Sequence, residues 1–365
     1  MRLFVIFYFA ISASLAWAYD GSKSAYIEHS KQFYAKAPMP EQLETVLLNG
    51  VDVRIATFRT PTGQKRGDAL FLSGRTEFIE KNIPAYKALL ARGFDVYTFD
   101  WRGQGLSQRE TDTSEKGYID SYETYVSDLE SFVSNYLPAK VAGQTRVMVA
   151  HSMGGQISAR YLIEHPKQFD YAAFSSPMMG LADNTWTNNT ALSAMSMIGK
   201  GAECVPGREA VWASYLDSDA CDMVLSQTFE APANTQQSQN YSSDLSHLAS
   251  ADCWTLQNMK ASPTHHVGLG CPTVDWVKSS FESIDSTAEQ AARIETPTLI
   301  VGSENDQVVD FSSTQQVCND MKDCCLINIP QAAHEILIER EGIQQQFWQA
   351  FDALLETKNA RKMCP

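Results

Sequence analysis

Arg146-Val147-Met148-Val149-Ala150-His151-Ser152-Met153-Gly154-Gly155-Gln156-Ile157 is the stretch on which the reading of the chain turns. Val147 to Ala150 is an unbroken apolar run, which suits a strand covered on both faces, as in a parallel sheet flanked by helices. His151-Ser152-Met153-Gly154-Gly155 opens a helix directly after it. A serine at such a strand-to-helix junction sits on a sharp turn with its hydroxyl pushed outward. Small neighbours are needed there because the two backbones approach closely. Ser152 is therefore the candidate nucleophile. The usual pattern is G-x-S-x-G, and Ala150 replaces its first glycine, which adds crowding to the turn without preventing it. A serine capping an ordinary helix is the competing reading.

Working outward, strands and helices alternate on both sides of this stretch. Val51 to Phe58 alternates as a half-exposed strand, Pro61-Thr62-Gly63 turns the chain, and Ala69 to Leu72 forms the next strand. Phe94 to Phe99 follows a helix closing at Arg92-Gly93, a helix spans Tyr122 to Tyr136, and Tyr171 to Ser175 continues the series. Strands resume at Thr298 to Val301 and Cys325 to Ile329, and a closing helix runs from Ile343 to Glu356. This alternation predicts an α/β fold with a mostly parallel central sheet flanked by helices, with ligands meeting the C-terminal strand ends.

Between about Pro177 and Gln290 the periodicity fails. The segment is rich in Ser, Asn, Thr, Met and Trp and shows only broken helical signals such as Arg208 to Tyr215. It is expected to be an insertion lying over the strand ends, a cap or lid. The expected organisation is residues 1–18 as a signal peptide, 19–176 as the first part of the core, 177–290 as the lid and 291–365 as the second part of the core.

The signal peptide is read from Arg2, the apolar run Leu3 to Ile11 and the small-x-small site Ala16-Trp17-Ala18. The apolar run is short of the about 20 residues a membrane span needs. A secreted or periplasmic location follows, and with it disulfides among the eight cysteines. Cys204 with Cys221 and Cys253 with Cys271 are the natural local pairs. Cys318, Cys324, Cys325 and Cys364 pair in more than one way. A zinc site around His247, Cys253, His265, His266 and Cys271 matches no standard spacing, so no metal is expected.

The net charge of -14 over 365 residues argues against nucleic acid and against electrostatic binding to anionic membranes. Between Pro177 and Gln290 four basic residues face thirteen acidic ones, so the lid itself does not favour anionic lipids. Neutral or zwitterionic small molecules are the expected substrates. Trp186, Met195, Met197, Trp212, Trp254, Met259 and Trp276 either line an acyl-chain tunnel or form the lid's own core. Two sequons, at Asn188 and Asn240, matter only in a glycosylating host.

Two late strands each present an acid-base residue on the rim occupied by Ser152. One leads into Gly302-Ser303-Glu304-Asn305-Asp306 and the other into Gln331-Ala332-Ala333-His334. An alcohol is a poor nucleophile near neutral pH, so an imidazole must take its proton and a carboxylate must hold that imidazole in the right tautomer. His334 is the preferred base over His29, His165, His247, His265 and His266, none of which follows a late strand. His151 adjoins the serine and points elsewhere. Asp306 is the preferred acid, with Glu304 and Asp310 as competitors. The oxyanion donors are expected to be the backbone amides of Met153 and of Arg75 in the Gly74-Arg75-Thr76-Glu77 turn. A purely structural role for Arg75, or a phosphate contact by its guanidinium, is the alternative.

Ser73-Gly74-Arg75-Thr76-Glu77, Asp100-Trp101-Arg102-Gly103-Gln104-Gly105-Leu106-Ser107, Ala150 to Gly155, Asp306 to Asp310 and His334 to Leu337 together resemble the lysophospholipase and monoacylglycerol lipase branch of the α/β-hydrolases, most closely its bacterial lysophospholipases. Ser73 stands where the monoacylglycerol lipases carry histidine. The resemblance implies the α/β-hydrolase fold, Ser152, Asp306 and His334 as triad, Met153 and Arg75 as oxyanion donors, and acyl-ester hydrolysis with no cofactor. It also implies a lipid or ester substrate, with transient contact with lipid aggregates or a membrane surface. A carboxylesterase for small soluble esters and a non-catalytic lipid-binding protein on the same fold are the other readings. The Asp100 to Gly103 stretch is expected to be scaffolding, a turn and helix start.

Overall fold

The computed structural model describes residues 38–364, apart from 39, 62, 64, 114–115, 183–188 and 208–268. The signal peptide and most of the lid fall outside the described residues.

In chain order the elements that build the site are strands β1 (Gln42–Leu48), β2 (Val51–Phe58) and β3 (Gly67–Leu72), helix α1 (Ile83–Ala91), β4 (Phe94–Phe99), α2 (Tyr122–Tyr136), β5 (Thr145–His151), α3 (Met153–Glu164) and β6 (Tyr171–Ser175). After the short α4 (Asn189–Met195) come α5 (Val274–Gln290), β7 (Thr298–Gly302), α6 (Phe311–Asp320), β8 (Cys324–Asn328) and α7 (Glu341–Thr357). The eight strands form one sheet in the order β1-β2-β4-β3-β5-β6-β7-β8. From β4 onward every pairing is parallel, while β2 runs antiparallel to both β1 and β4.

The expected strands all form, and β1 is an addition. Its chain reverses at Asn49-Gly50, where both residues adopt positive φ (47° and 82°) and Leu48 pairs with Val51. That two-residue turn is the one whose twist matches paired antiparallel strands.

β5 lies mid-sheet between β3 and β6, and Val147 to Ala150 are fully buried. Apolar clusters cover the sheet on both faces. One gathers Met148, Ala150, Ile157 and the rings of Phe99, Trp101, Tyr125 and Phe132; the other gathers Val147, Val149, Leu299, Val301 and the α7 residues Phe347, Trp348 and Phe351. Burial on both faces removes the period-two alternation from the strand, which is why the run reads as continuously apolar.

Val274–Gln290, which falls within the bounds expected for the lid, packs against α2 and α3. The contact is partly polar: Gln156 Nε2 donates to Ser283 Oγ (3.0 Å) and Thr287 Oγ1 (2.8 Å), and Ser280 Oγ donates to Tyr122 Oη (3.0 Å). Serines on a helix face that is in fact buried explain why its apolar periodicity reads as broken.

The Asp100 to Ser107 stretch makes consecutive turns, with no helix beginning there. Asp100 accepts from Arg54 Nε and from the Ile79 and Leu106 amides, all at 2.8 Å, and a Cβ on Gly105 would fall 2.2 Å from its carboxyl carbon. Trp101 Nε1 donates to Ser73 O at 2.8 Å, which fixes the start of the loop after β3.

Cys204 is bonded to Cys271, Cys318 to Cys324 and Cys325 to Cys364. This corrects the expected local pairs Cys204–Cys221 and Cys253–Cys271; Cys221 and Cys253 lie outside the described residues. Folding brings Cys204 and Cys271 together through the bridges that Thr273 makes with Cys204 and Pro272 with Gly117, which sequence proximity cannot report. The 67-residue separation restricts the unfolded chain by an amount worth about 4 kcal/mol in the chain-entropy account. The same bond removes Cys271 from any zinc site.

Candidate active site

Ser152 adopts φ 49° and ψ -118°, a backbone conformation that L-residues avoid at a cost of about 1–3 kcal/mol. Neighbouring contacts hold it there. Its N–H donates to Ser175 O (3.1 Å), and its carbonyl accepts from Met178 (3.0 Å) and from the first turn of α3. Close approach explains the small residues: a Cβ on Gly154 would stand 2.4 Å from Leu72 O and 2.5 Å from Ser73 O, and one on Gly155 would stand 2.6 Å from Pro177 Cβ. Gly154→Ala therefore pushes a methyl into backbone that cannot yield, and is expected to lose both soluble protein and activity. Thermal melting and ester turnover of any recovered protein are the readouts; an active, wild-type-like melt would contradict this packing.

The three distant residues meet. His334 Nε2 lies 2.9 Å from Ser152 Oγ, and His334 Nδ1 lies 2.8 Å from Asp306 Oδ2. All three are buried, with Ser152 7%, Asp306 8% and His334 3% exposed. Asp306 sits just beyond β7, and its other oxygen accepts from the Val308 (2.8 Å) and Val309 (3.1 Å) amides. Burial pushes the Asp306 carboxyl up, but the His334 hydrogen bond and charge and these two amides outweigh it and hold the group below its ordinary value. It is therefore an acceptor for the Nδ1 proton, which leaves Nε2 free to receive the serine's.

The competing acids are occupied or misplaced. Asp310 caps α6, accepting from the Ser312 and Ser313 amides, and Glu304 is exposed. Among the histidines, His165 stacks on Tyr161 with centroids 4.2 Å apart, remote from the cluster, and His29, His247, His265 and His266 fall outside the described residues.

The Gly74-Arg75 turn lies against the serine, since a Cβ on Gly74 would fall 3.1 Å from Ser152 Cβ. Met153 begins α3, where the first amides have no intrahelical partner. Gln104 joins the two sides: it accepts from the Thr76 amide (2.7 Å) and its Nε2 lies 3.6 Å from Met153 Sδ. Sequence reasoning missed Gln104. Its motif marks a tight turn, but nothing in the motif shows which loop the side chain braces.

Arg75 also reaches the C-terminal part of the segment expected to be the lid. Its Nη2 donates to Gly270 O (2.7 Å), its guanidinium lies 5.0 Å from the Trp276 ring centroid, and Nε is buried without a hydrogen-bond partner among the described residues. Burial lowers its pKa to about 10, so it remains charged at neutral pH. Of the residues considered for an acyl tunnel, Trp276 is buried in this contact, Met195 is packed against the core and Met197 is 87% exposed. Trp186, Trp212, Trp254 and Met259 lie outside the described residues.

Comparison with known proteins agrees with this architecture. The chain is 24% identical over 326 residues to a protein of Haemophilus influenzae named probable lysophospholipase L2, covering 88% of this chain and 95% of that one. It is 26% identical over 313 residues to lysophospholipase L2 of Escherichia coli K12, covering 83% and 84% of the two chains. A soluble variant of monoglyceride lipase from Saccharomyces cerevisiae, solved with a substrate analogue, superposes with a TM-score of 0.66 at 18% identity over 89% of this chain and 96% of that one. The family model described as serine aminopeptidase, S33, matches residues 63–341. With that match spanning most of its length, and with an eight-stranded, mostly parallel sheet beneath the serine turn, the chain belongs to the serine aminopeptidase S33 family of α/β-hydrolases.

Proposed function

We propose that the protein is a carboxylic ester hydrolase acting on single-chain lipids, lysophospholipids or monoacylglycerols, through an acyl-enzyme on Ser152. The observation that carries this reading is the continuous hydrogen-bonded line from Ser152 through His334 to Asp306 at 2.9 and 2.8 Å. The names of the relatives support the substrate class.

In this mechanism His334 Nε2 takes the Ser152 proton as Oγ attacks the ester carbonyl, and Asp306 stabilises the imidazolium that forms. The tetrahedral oxyanion is met by the Met153 and Arg75 amides. His334 then returns the proton to the departing glycerol or glycerophosphate oxygen, and water, deprotonated by the same imidazole, releases the fatty acid.

The N-terminal pattern of residues 1–18 and the three disulfides among the described residues support secretion or a periplasmic location. The proposed partners are lipid aggregates or a membrane surface, touched transiently to extract one substrate chain.

The test is a panel of micellar lysophosphatidylcholine, long-chain monoacylglycerol and short p-nitrophenyl esters, assayed by fatty-acid or nitrophenol release. Long single-chain lipids are expected to exceed the short esters by about tenfold or more in kcat/KM, since buried methylenes each contribute to transition-state binding. Faster turnover of the short esters would replace the lipid reading with a general esterase.

A further inference from the structure

Behind the Ser152–His334–Asp306 line lies a second buried imidazole. His151 Nδ1 is 2.9 Å from Glu77 Oε1, and His151 Nε2 is 3.3 Å from the backbone carbonyl oxygen of His334. The two rings lie 4.8 Å apart, and a Cβ on Gly74 would fall 3.0 Å from His151 Nδ1. A carbonyl oxygen and a carboxylate are both acceptors, so each ring nitrogen must donate. A neutral imidazole has one N–H, and only the imidazolium satisfies both contacts.

The surrounding charges require the same state. The groups facing His151 are Glu77 and Lys81 from the segment after β3, and His334 and Glu335 from the loop after β8. Lys81 is paired with Glu335 and lies 3.5 Å from Glu77. Two buried carboxylates facing one ammonium leave a negative charge, which a protonated His151 neutralises. Burial lowers the imidazole's pKa, but the Glu77 charge and hydrogen bond, followed by Glu335, outweigh it and hold it above the ordinary value.

Glu77 connects this pair to the other side of the site. Its Oε2 accepts from the Gly74 amide (2.8 Å) and from Asn82 Nδ2 (3.1 Å), so one carboxylate holds the turn that presents the Arg75 amide and the imidazole that holds His334.

We propose that His151, kept as an imidazolium by Glu77, is a positioning residue that ties the oxyanion turn to the backbone of the catalytic histidine. This rests on the acyl-transfer reading of Ser152. When His151 loses one proton, Glu77 retains the other on Nδ1, and Nε2 then turns a lone pair toward the His334 carbonyl. The tether becomes a repulsion. Activity is therefore lost on the alkaline side as His151 titrates.

The experiment is the pH dependence of kcat and KM for a long-chain p-nitrophenyl ester, with the full chain, His151→Gln and Glu77→Gln. His151→Gln is expected to lower kcat about tenfold or more with KM changed less than about twofold, and to abolish the alkaline limb. Glu77→Gln is expected to move that limb down by about one pH unit or more, because the anion that favours the charged ring is gone. Unchanged kcat and an unchanged alkaline limb in His151→Gln would overturn the proposal. A second measurement covers variants that fail to fold: the ¹⁵N-histidine spectrum of the full chain, in which His151 should show two protonated ring nitrogens near neutral pH. A single protonated nitrogen there would overturn it equally. The spectrum reads the same in Ser152→Ala, so failure of the acyl-enzyme reading and failure of this proposal are separate results.

Discussion

Ser152→Ala is expected to lower kcat for fatty-acid release by about 10⁵- to 10⁶-fold while leaving the protein folded. The size follows from the way a relay works: without the hydroxyl, neither His334 nor Asp306 has a nucleophile to activate, and what remains is the weak assistance of the oxyanion amides and substrate binding. Little stability is at stake. The serine's φ of 49° is set by backbone contacts to Ser175 and Met178, which alanine retains, and alanine is no larger. Initial rates on lysophosphatidylcholine, with a thermal melt alongside, measure both. A variant that keeps more than about a hundredth of wild-type kcat would place the nucleophile elsewhere.

Asp306→Asn should be the next most damaging exchange, at about 10⁴-fold in kcat with little change in KM. An amide in place of Oδ2 can donate to Nδ1, which drives the imidazole proton to Nε2 and aims a donor, not an acceptor, at Ser152 Oγ. The carboxylate's depressed pKa adds a pH consequence. A group whose folded pKa lies below its unfolded value of 3.8 contributes stability that is present above that value and lost as pH falls through the lower folded one. Wild-type stability should therefore decline in that acid window more steeply than that of Asp306→Asn, which has no carboxyl to titrate there. Denaturant unfolding at a series of acid pH values would show it, and parallel curves would contradict the assignment.

How far the sequence could be read depended on whether a residue's partners were local. The turn around Ser152 was legible because strand, serine and glycines are contiguous, and the steric demand at Gly154 comes from the strand end beside it. Asp306 and His334 were legible as neighbours of the serine because each follows a recognisable apolar strand, β7 buried throughout and β8 partly buried at the sheet edge. β1 was missed although Asn49-Gly50 is a strong hairpin signal, because Gln42 to Leu48 mixes Gln, Glu and Thr with an exposed Leu47, as an edge strand can afford. The pairing of Cys204 with Cys271 was illegible for another reason: separation along the chain carries no information about which loop ends meet. Val274–Gln290 read as part of the insertion because its buried face carries Ser279, Ser280, Ser283 and Thr287, of which Ser283 and Thr287 meet Gln156 and Ser280 meets Tyr122, polar partners that no periodicity argument anticipates. His151 was read only as pointing elsewhere than the serine, and its partners, Glu77 and the backbone of His334, come from two other loops that its own strand does not announce.

The most direct test of the account is the mass of the intact protein after incubation with a fluorophosphonate, followed by peptide mapping. The account predicts one adduct, on the peptide containing Ser152, and none in Ser152→Ala. Protein that hydrolyses esters yet remains unlabelled, or that takes the label on another residue, would contradict it.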